Sequence, residues 1–156
     1  MTDSEFIGLI NSNQATINYL LNLYVQDKIE KEDLKQEIIY QAWKGKDKFL
    51  QKSSFNTWLY KVSLYTILTF KRKNEKFIKV NLEIADSNNN SEELTNDNAE
   101  QLYQYIRGLN PLNKTIITMH LDGFTNQEIA EFIGVKANNL KVKLHRIKEN
   151  IKLNLK

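Results

Sequence analysis

The sequence predicts an all-α protein of two small helical domains joined by a flexible linker. Three observations carry that expectation. Apolar residues recur at helical rather than alternating spacing along most of the chain. One proline and five glycines supply few of the turns that an all-β fold requires. Between them lies a polar, acidic stretch, Asn81 to Asn98, with too little apolar surface to offset the cost of ordering it. A length of 156 residues suits one or two small domains, and an apolar content of 41% is enough for packed cores.

In the first domain, expected over residues 1–80, Gln14 to Asp27 places Ile17, Leu20, Leu21, Tyr24 and Val25 at helical spacing. Glu32 to Lys44 follows, with Leu34, Ile38, Ala42 and Trp43 on one side, so Trp43 is expected in the core. Lys44 to Ser53 is a short polar connection containing Gly45. Ser54 is the expected N-cap of a helix from Phe55 to about Lys73, whose stripe includes Phe55, Trp58, Leu59 and Val62. Three antiparallel helices result.

The linker is expected over 81–98. A helix can begin inside it, because Leu94, Leu102, Ile106 and Leu109 share a face. In the second domain, 99–156, Asn110-Pro111 reads as a helix start and Asp122-Gly123 as its end. Thr125 and Glu128 form a capping box that opens a helix to Phe132, with Ile129, Ala130 and Ile133 turned inward. Gly134 makes a turn, and Lys136 to Ile151 forms the last helix. The result is a helix-turn-helix among four helices.

That last helix is two-faced. Leu140, Leu144, Ile147 and Ile151 form a narrow apolar stripe, while Asn138, Lys141, Val142, His145 and Arg146 lie opposite or on its flanks. Such side chains reach phosphates and base edges in a major groove, although a single amphipathic helix with a solvated face has the same pattern. Charge adds weight. Lys71 to Lys79 holds five basic residues and one acid, Asn81 to Glu100 six acids and no base, and Lys136 to Lys156 seven basic residues and one acid. Two basic patches flanking an acidic segment suggest two contacts with a polyanion, within a net charge of only +3.

Other classes find little support. There is no cysteine, which excludes disulfides, thiolate metal sites and a cysteine nucleophile, and which fits a reducing cytoplasm. The two histidines have no metal-ligand spacing, and no glycine-rich phosphate loop is present. No enzyme, metal or cofactor is therefore expected. Met1 to Glu5 is polar and acidic, unlike a secretory signal, and no stretch has the apolar length to enter a membrane as a span.

Asp33-Leu34-Lys35-Gln36-Glu37-Ile38-Ile39-Tyr40-Gln41-Ala42-Trp43 resembles the D-L-x-Q-E-x-x-x-x-A-W signature of bacterial RNA polymerase sigma factors. Phe55-Asn56-Thr57-Trp58-Leu59-Tyr60-Lys61-Val62 resembles the F-x-x-W-L-Y-x-[IV] stretch of the same domain. Leu121 to Thr125, Glu128-Ile129-Ala130 and Leu144-His145-Arg146 are similar to the family's promoter-reading helix-turn-helix. Two such domains and a short linker resemble the extracytoplasmic-function (group IV) subfamily, with a three- to four-helix region 2 and a helix-turn-helix region 4.

The resemblance implies roles. Asp33, Gln36 and Glu37, one turn apart on a helix, would dock on core RNA polymerase, where acid and amide groups accept charge-assisted bonds from arginine. The plain alternative is a solubilising face with a salt bridge to Lys35 or Lys31. The loop from Lys44 to Ser54 corresponds to the family's −10 loop, which captures an extruded base of the non-template strand. Lys48, Phe49, Ser53, Ser54, Asn56 and Thr57 are its candidates, with Trp58 near the upstream edge of the melted DNA or in the core. Lys61, Lys71, Arg72 and Lys73 would neutralise phosphates.

In the second domain the resemblance puts Lys141, Val142, His145 and Arg146 at the −35 reading positions, with Asn138 beside them. Lys136 and Lys143 would touch phosphate. Val142 stands where serine is common, Lys143 where arginine is usual, and Asn139-Leu140 where Thr-Val is usual, which bears on the −35 sequence that is read. The acidic linker would thread toward the polymerase cleft, or serve as a plain tether. The implied partners are core polymerase, promoter DNA and an anti-sigma factor. The implied location is the cytoplasm, at the nucleoid or held at the membrane by the anti-sigma partner. The rival expectation is a stand-alone helix-turn-helix regulator, which would need a dimerisation face and leaves the Asp33 to Trp43 motif without a purpose.

Overall fold

Residues 1–49, 51–85 and 98–155 are described by the computed structural model, 74–85 as backbone. Among the described residues there are eight α-helices, one 3₁₀ turn and no strand. They divide into two units, Met1–Ser87 and Asn88–Lys156.

The first unit opens with a helix that the apolar pattern alone did not predict. Helix α1 (Asp3–Ser12) begins at a capping box: the Glu5 amide donates to Thr2 Oγ1 at 3.1 Å, and the Thr2 amide donates to Glu5 Oε2 at 3.1 Å. The Thr2-x-x-Glu5 signature and the i, i+4 pair Phe6 and Ile10, both buried, were the signals for it. Helices α2 (Gln14–Tyr24), α3 (Lys28–Gly45) and α4 (Phe55–Ala85) follow, with a 3₁₀ turn over Lys46–Lys48. Ile17, Leu20, Ile38, Ala42, Leu59, Leu64 and Ile67 are fully buried where α2, α3 and α4 pack together. Each such large aliphatic side chain contributes roughly 1.5–3 kcal/mol by leaving water.

Three local expectations change. The boundary near residue 27 moves, because Asp27 caps α3, accepting from the Glu30 amide at 3.2 Å, instead of extending α2. Helix α4 continues past Lys73 through the first residues expected in the linker, to Ala85. No glycine or proline interrupts 55–85, so nothing in that stretch stops a helix. The rest of the expected linker, 86–97 with Leu94, lies outside the described residues. Trp43 is not in the core: it is 45% exposed. It stands about 100° around the helix from Ala42, which completes the buried stripe with Leu34 and Ile38. Its indole instead donates from Nε1 to Asp3 Oδ1 at 3.3 Å, and Lys46 Nζ lies 5.0 Å from its ring centre.

In the second unit α5 (Asn98–Arg107), α6 (Pro111–Leu121), α7 (Asn126–Ile133) and α8 (Ala137–Asn154) enclose Ile106, Ile116, Ile117, Met119, Ile129, Leu140, Leu144 and Ile147. The expected punctuation is present. Asn110 Oδ1 accepts from the Asn113 amide at 2.8 Å with Pro111 in the first turn. Gly123 ends α6 region at φ 95° and Gly134 closes α7 at φ 87°, both left-handed conformations that other residues adopt at a cost.

Candidate nucleic-acid interface

In the second unit Thr125 sets the start of α7 and Gly134 its end, so α8 leaves the turn with a fixed angle and register. Leu140, Leu144 and Ile147 anchor one side of α8 against α6 and α7. On the other side Lys141, Val142, His145 and Arg146 are exposed, as are Lys136 and Asn138 at its start, and Lys143 is half-exposed. Val142 is 51% exposed, an apolar side chain left in water between basic neighbours. Among the described residues none of Lys141, Lys143 and Arg146 is in an ion pair; the acid of α8, Glu149, pairs with Lys152 at 3.6 Å. Lys136, the N-cap, makes no side-chain cap, so the first-turn amides of α8 have no side-chain acceptor there. A positive helix start and a row of cations beside an apolar contact are the groups that grip phosphates and read base edges in a major groove.

The first unit presents two further surfaces. On α3, Asp33, Gln36 and Glu37 are exposed together. Among the described residues neither carboxylate pairs with Lys31 or Lys35. Glu37 Oε1 accepts from Gln41 Nε2 at 2.8 Å, and Tyr40, half exposed, continues the same ridge one turn on.

Between α3 and α4 lies the polar loop. Phe49 is drawn inward: its ring is edge-on to Phe55 at 5.8 Å and tilted on Trp58 at 5.4 Å, and Phe55 and Trp58 lie 5.5 Å apart. Phe49 and Trp58 therefore build the floor of the loop. Lys48, Ser53, Ser54 and Asn56 stay exposed, with Thr57 half-buried. Ser54 Oγ caps α4, accepting from the Thr57 amide at 3.1 Å and donating to Thr57 Oγ1 at 3.0 Å. Ser53 Oγ donates to the Ser54 carbonyl at 3.2 Å. Asn56 Oδ1 accepts from Thr16 Oγ1 on α2, which leaves its amide NH₂ as the donor end. Gln51 takes a left-handed φ of 56°, a conformation of about 1 kcal/mol cost for a residue other than glycine. Backbone strain of this kind collects at binding loops.

Along α4, Thr57, Lys61 and Arg72 share one face. Lys71, Arg72 and Lys73 lie roughly 20–25 Å farther along the helix axis from Thr57, at 1.5 Å per residue, so they stand apart from the loop. The structure thus brings the loop residues together, and the −35 candidates together, and separates the Lys71–Lys73 cluster. Among the described residues no group of acids and histidines is placed to hold a metal ion, and no helix is long and apolar enough to cross a membrane.

Comparison with known proteins gives two family matches: residues 9–77 match Sigma-70 region 2, and residues 99–151 match Sigma-70, region 4. Fourteen chains of solved structures match. One is the sigma factor RpoE from Bartonella quintana, solved in complex with the anti-sigma factor NepR. The TM-score is 0.68 at 16% identity, over 99% of this chain and 98% of that one, a likeness of fold. No curated protein gives a significant match.

Proposed function

Because the chain belongs to the sigma-70 family of bacterial RNA polymerase sigma factors, in its extracytoplasmic-function branch, we propose the following assignment of that family's work to its residues. The protein directs promoter-specific initiation: it binds core polymerase, reads −35 as duplex and holds the melted −10 strand. Residues 1–80 carry polymerase and −10 binding, 99–156 carry −35 binding, and 81–98 joins them.

Asp33, Gln36 and Glu37 dock on the polymerase. Lys141, Val142, His145 and Arg146 face the bases of the −35 element, with Arg146 suited to a bidentate contact on a guanine edge and Val142 to a thymine methyl. Lys136, Asn138 and Lys143 approach phosphate. In the loop Lys48, Ser53, Ser54, Asn56 and Thr57 surround the captured base while Phe49 and Trp58 support them. Extruding a base costs a few kcal/mol, which hydrogen bonds and stacking in such a loop offset. Lys61, Lys71, Arg72 and Lys73 follow the phosphate backbone. The protein performs no bond chemistry of its own in this scheme, and acts in the cytoplasm at the nucleoid. The match to a sigma factor solved with an anti-sigma factor supports a partner of that class here.

The observation that carries the assignment is the division of α8: Leu140, Leu144 and Ile147 buried, Lys141, Val142, His145 and Arg146 exposed. The docking assignment is tested by charge reversal. Asp33→Lys with Glu37→Lys is expected to abolish copurification with core polymerase and leave helical content unchanged; undiminished copurification refutes it.

A further inference from the structure

The polar loop leaves α3 at Gly45 and enters α4 at Phe55, and the amino-terminal helix touches it at both ends. At the leaving end Asp3 Oδ1 accepts from Trp43 Nε1 at 3.3 Å and lies 3.5 Å from Lys46 Nζ. Lys46 opens the 3₁₀ turn. Its side chain is only 13% exposed, against 72% for Asp3, so its ammonium is held between the carboxylate and the Trp43 ring. At the entering end Phe6, buried, stands edge-on to Phe55 at 6.3 Å. Phe55 in turn contacts both Phe49 and Trp58, the rings beneath the loop. The loop's own start also lies on this platform: a Cβ at Gly45 would sit 3.5 Å from Trp58 Cζ2. The region 2 match begins at residue 9, after both Asp3 and Phe6.

We propose that Asp3 and Phe6 are positioning residues for capture of the −10 strand. Helix α1 pins the two ends of the loop, so that Lys48, Ser53, Ser54 and Thr57 are held in one arrangement before DNA arrives. This rests on the assignment of the loop to the −10 element made above. The physical reason is preorganisation: the fitting base engages the ordered loop and so bears the cost of ordering it, whereas a base that does not fit leaves the loop unordered and bears none, so a loop fixed beforehand widens the difference between them. Base extrusion is itself costly, so the remaining margin is sensitive to loop order. A helix acting only as core filler would behave differently, because Asp3 is exposed and contributes little to stability through its ion pair.

The test uses the full chain with bacterial core polymerase on a promoter it initiates from. Asp3→Ala, Asp3→Asn and Phe6→Leu are compared with the parent, with Lys48→Ala and Ser54→Ala as loop controls. Discrimination among single-base substitutions at −10, the same at −35, polymerase affinity and the thermal midpoint are measured. Asp3→Ala is expected to lose about three- to fivefold of −10 discrimination, the scale of one hydrogen bond, with the other three readouts unchanged. Asp3→Asn keeps an acceptor for the Trp43 indole and is expected to fall between. The proposal is overturned if Asp3→Ala discriminates at −10 like the parent while the loop controls do not. It is also overturned if its losses at −10, −35 and polymerase are equal and follow the fraction folded. If the loop controls too keep full −10 discrimination, the loop assignment itself is wrong and the proposal falls with it.

Discussion

Thr125 and Glu128 satisfy each other's backbone at the start of α7: the Glu128 amide donates to Thr125 Oγ1 at 3.1 Å, and the Thr125 amide donates to Glu128 Oε1 at 3.0 Å. This pair fixes where the helix-turn-helix begins. Thr125→Ala is expected to cost about 1 kcal/mol, up to about 2, of the second unit's stability, read as a lower denaturation midpoint at an unchanged slope. An unchanged midpoint would mean that the cap does not hold the motif.

Thr118 on α6 is 1% exposed and its Oγ1 has no hydrogen-bond partner among the described residues. A buried hydroxyl without a partner lowers stability, and valine has the same shape and the same β-branch. Thr118→Val is therefore expected to stabilise the second unit by about 1 kcal/mol in chemical denaturation. Destabilisation would show that the hydroxyl is bonded in solution.

His120 on α6 is held below its ordinary value of 6.5, first by burial and then by the positive charge of Lys148 on α8. Both favour the neutral imidazole, so the unfolded chain binds the proton more readily. Stability is then complete above about pH 6.5 and is lost as pH falls through the lowered folded value. His120→Gln is expected to flatten the stability–pH curve of the second unit just below pH 6.5, and Lys148→Met to make it shallower. The same slope in parent and His120→Gln would assign the titration elsewhere.

Arg146 lies exposed on α8, turned away from the buried stripe of Leu140, Leu144 and Ile147. As a base contact, Arg146→Ala lowers initiation from the promoter it serves and relaxes selectivity at one −35 position, by about 1–3 kcal/mol of discrimination. An equal loss on every −35 sequence would make it a phosphate contact.

Much of this arrangement was legible before coordinates. The stripe Leu140, Leu144, Ile147 announced the buried side of α8, and Asn110-Pro111, Thr125-x-x-Glu128 and Gly134 marked helix ends by chemistry that acts within a few residues. What failed to show was set by distant contacts. Trp43 reads as core when placed on one side with Leu34, Ile38 and Ala42, but its indole faces a carboxylate forty residues away. The packing of Phe49 on Phe55 and Trp58, which makes it part of the loop's floor, likewise depends on contacts between separate segments. The tie from Thr16 to Asn56 joins two helices that periodicity treats separately. The end of α4 differs for another reason: the expected stop near Lys73 has no glycine or proline behind it, and none occurs before Ala85.

The central claim is that this chain gives bacterial polymerase its promoter choice. Sequencing the 5′ ends of RNA made from genomic DNA by core polymerase, with and without the purified protein, tests it most directly. The expected result is a set of protein-dependent start sites preceded by one shared pair of −35 and −10 sequences at constant spacing, lost with Asp33→Lys/Glu37→Lys. Identical 5′ ends with and without the protein would contradict it.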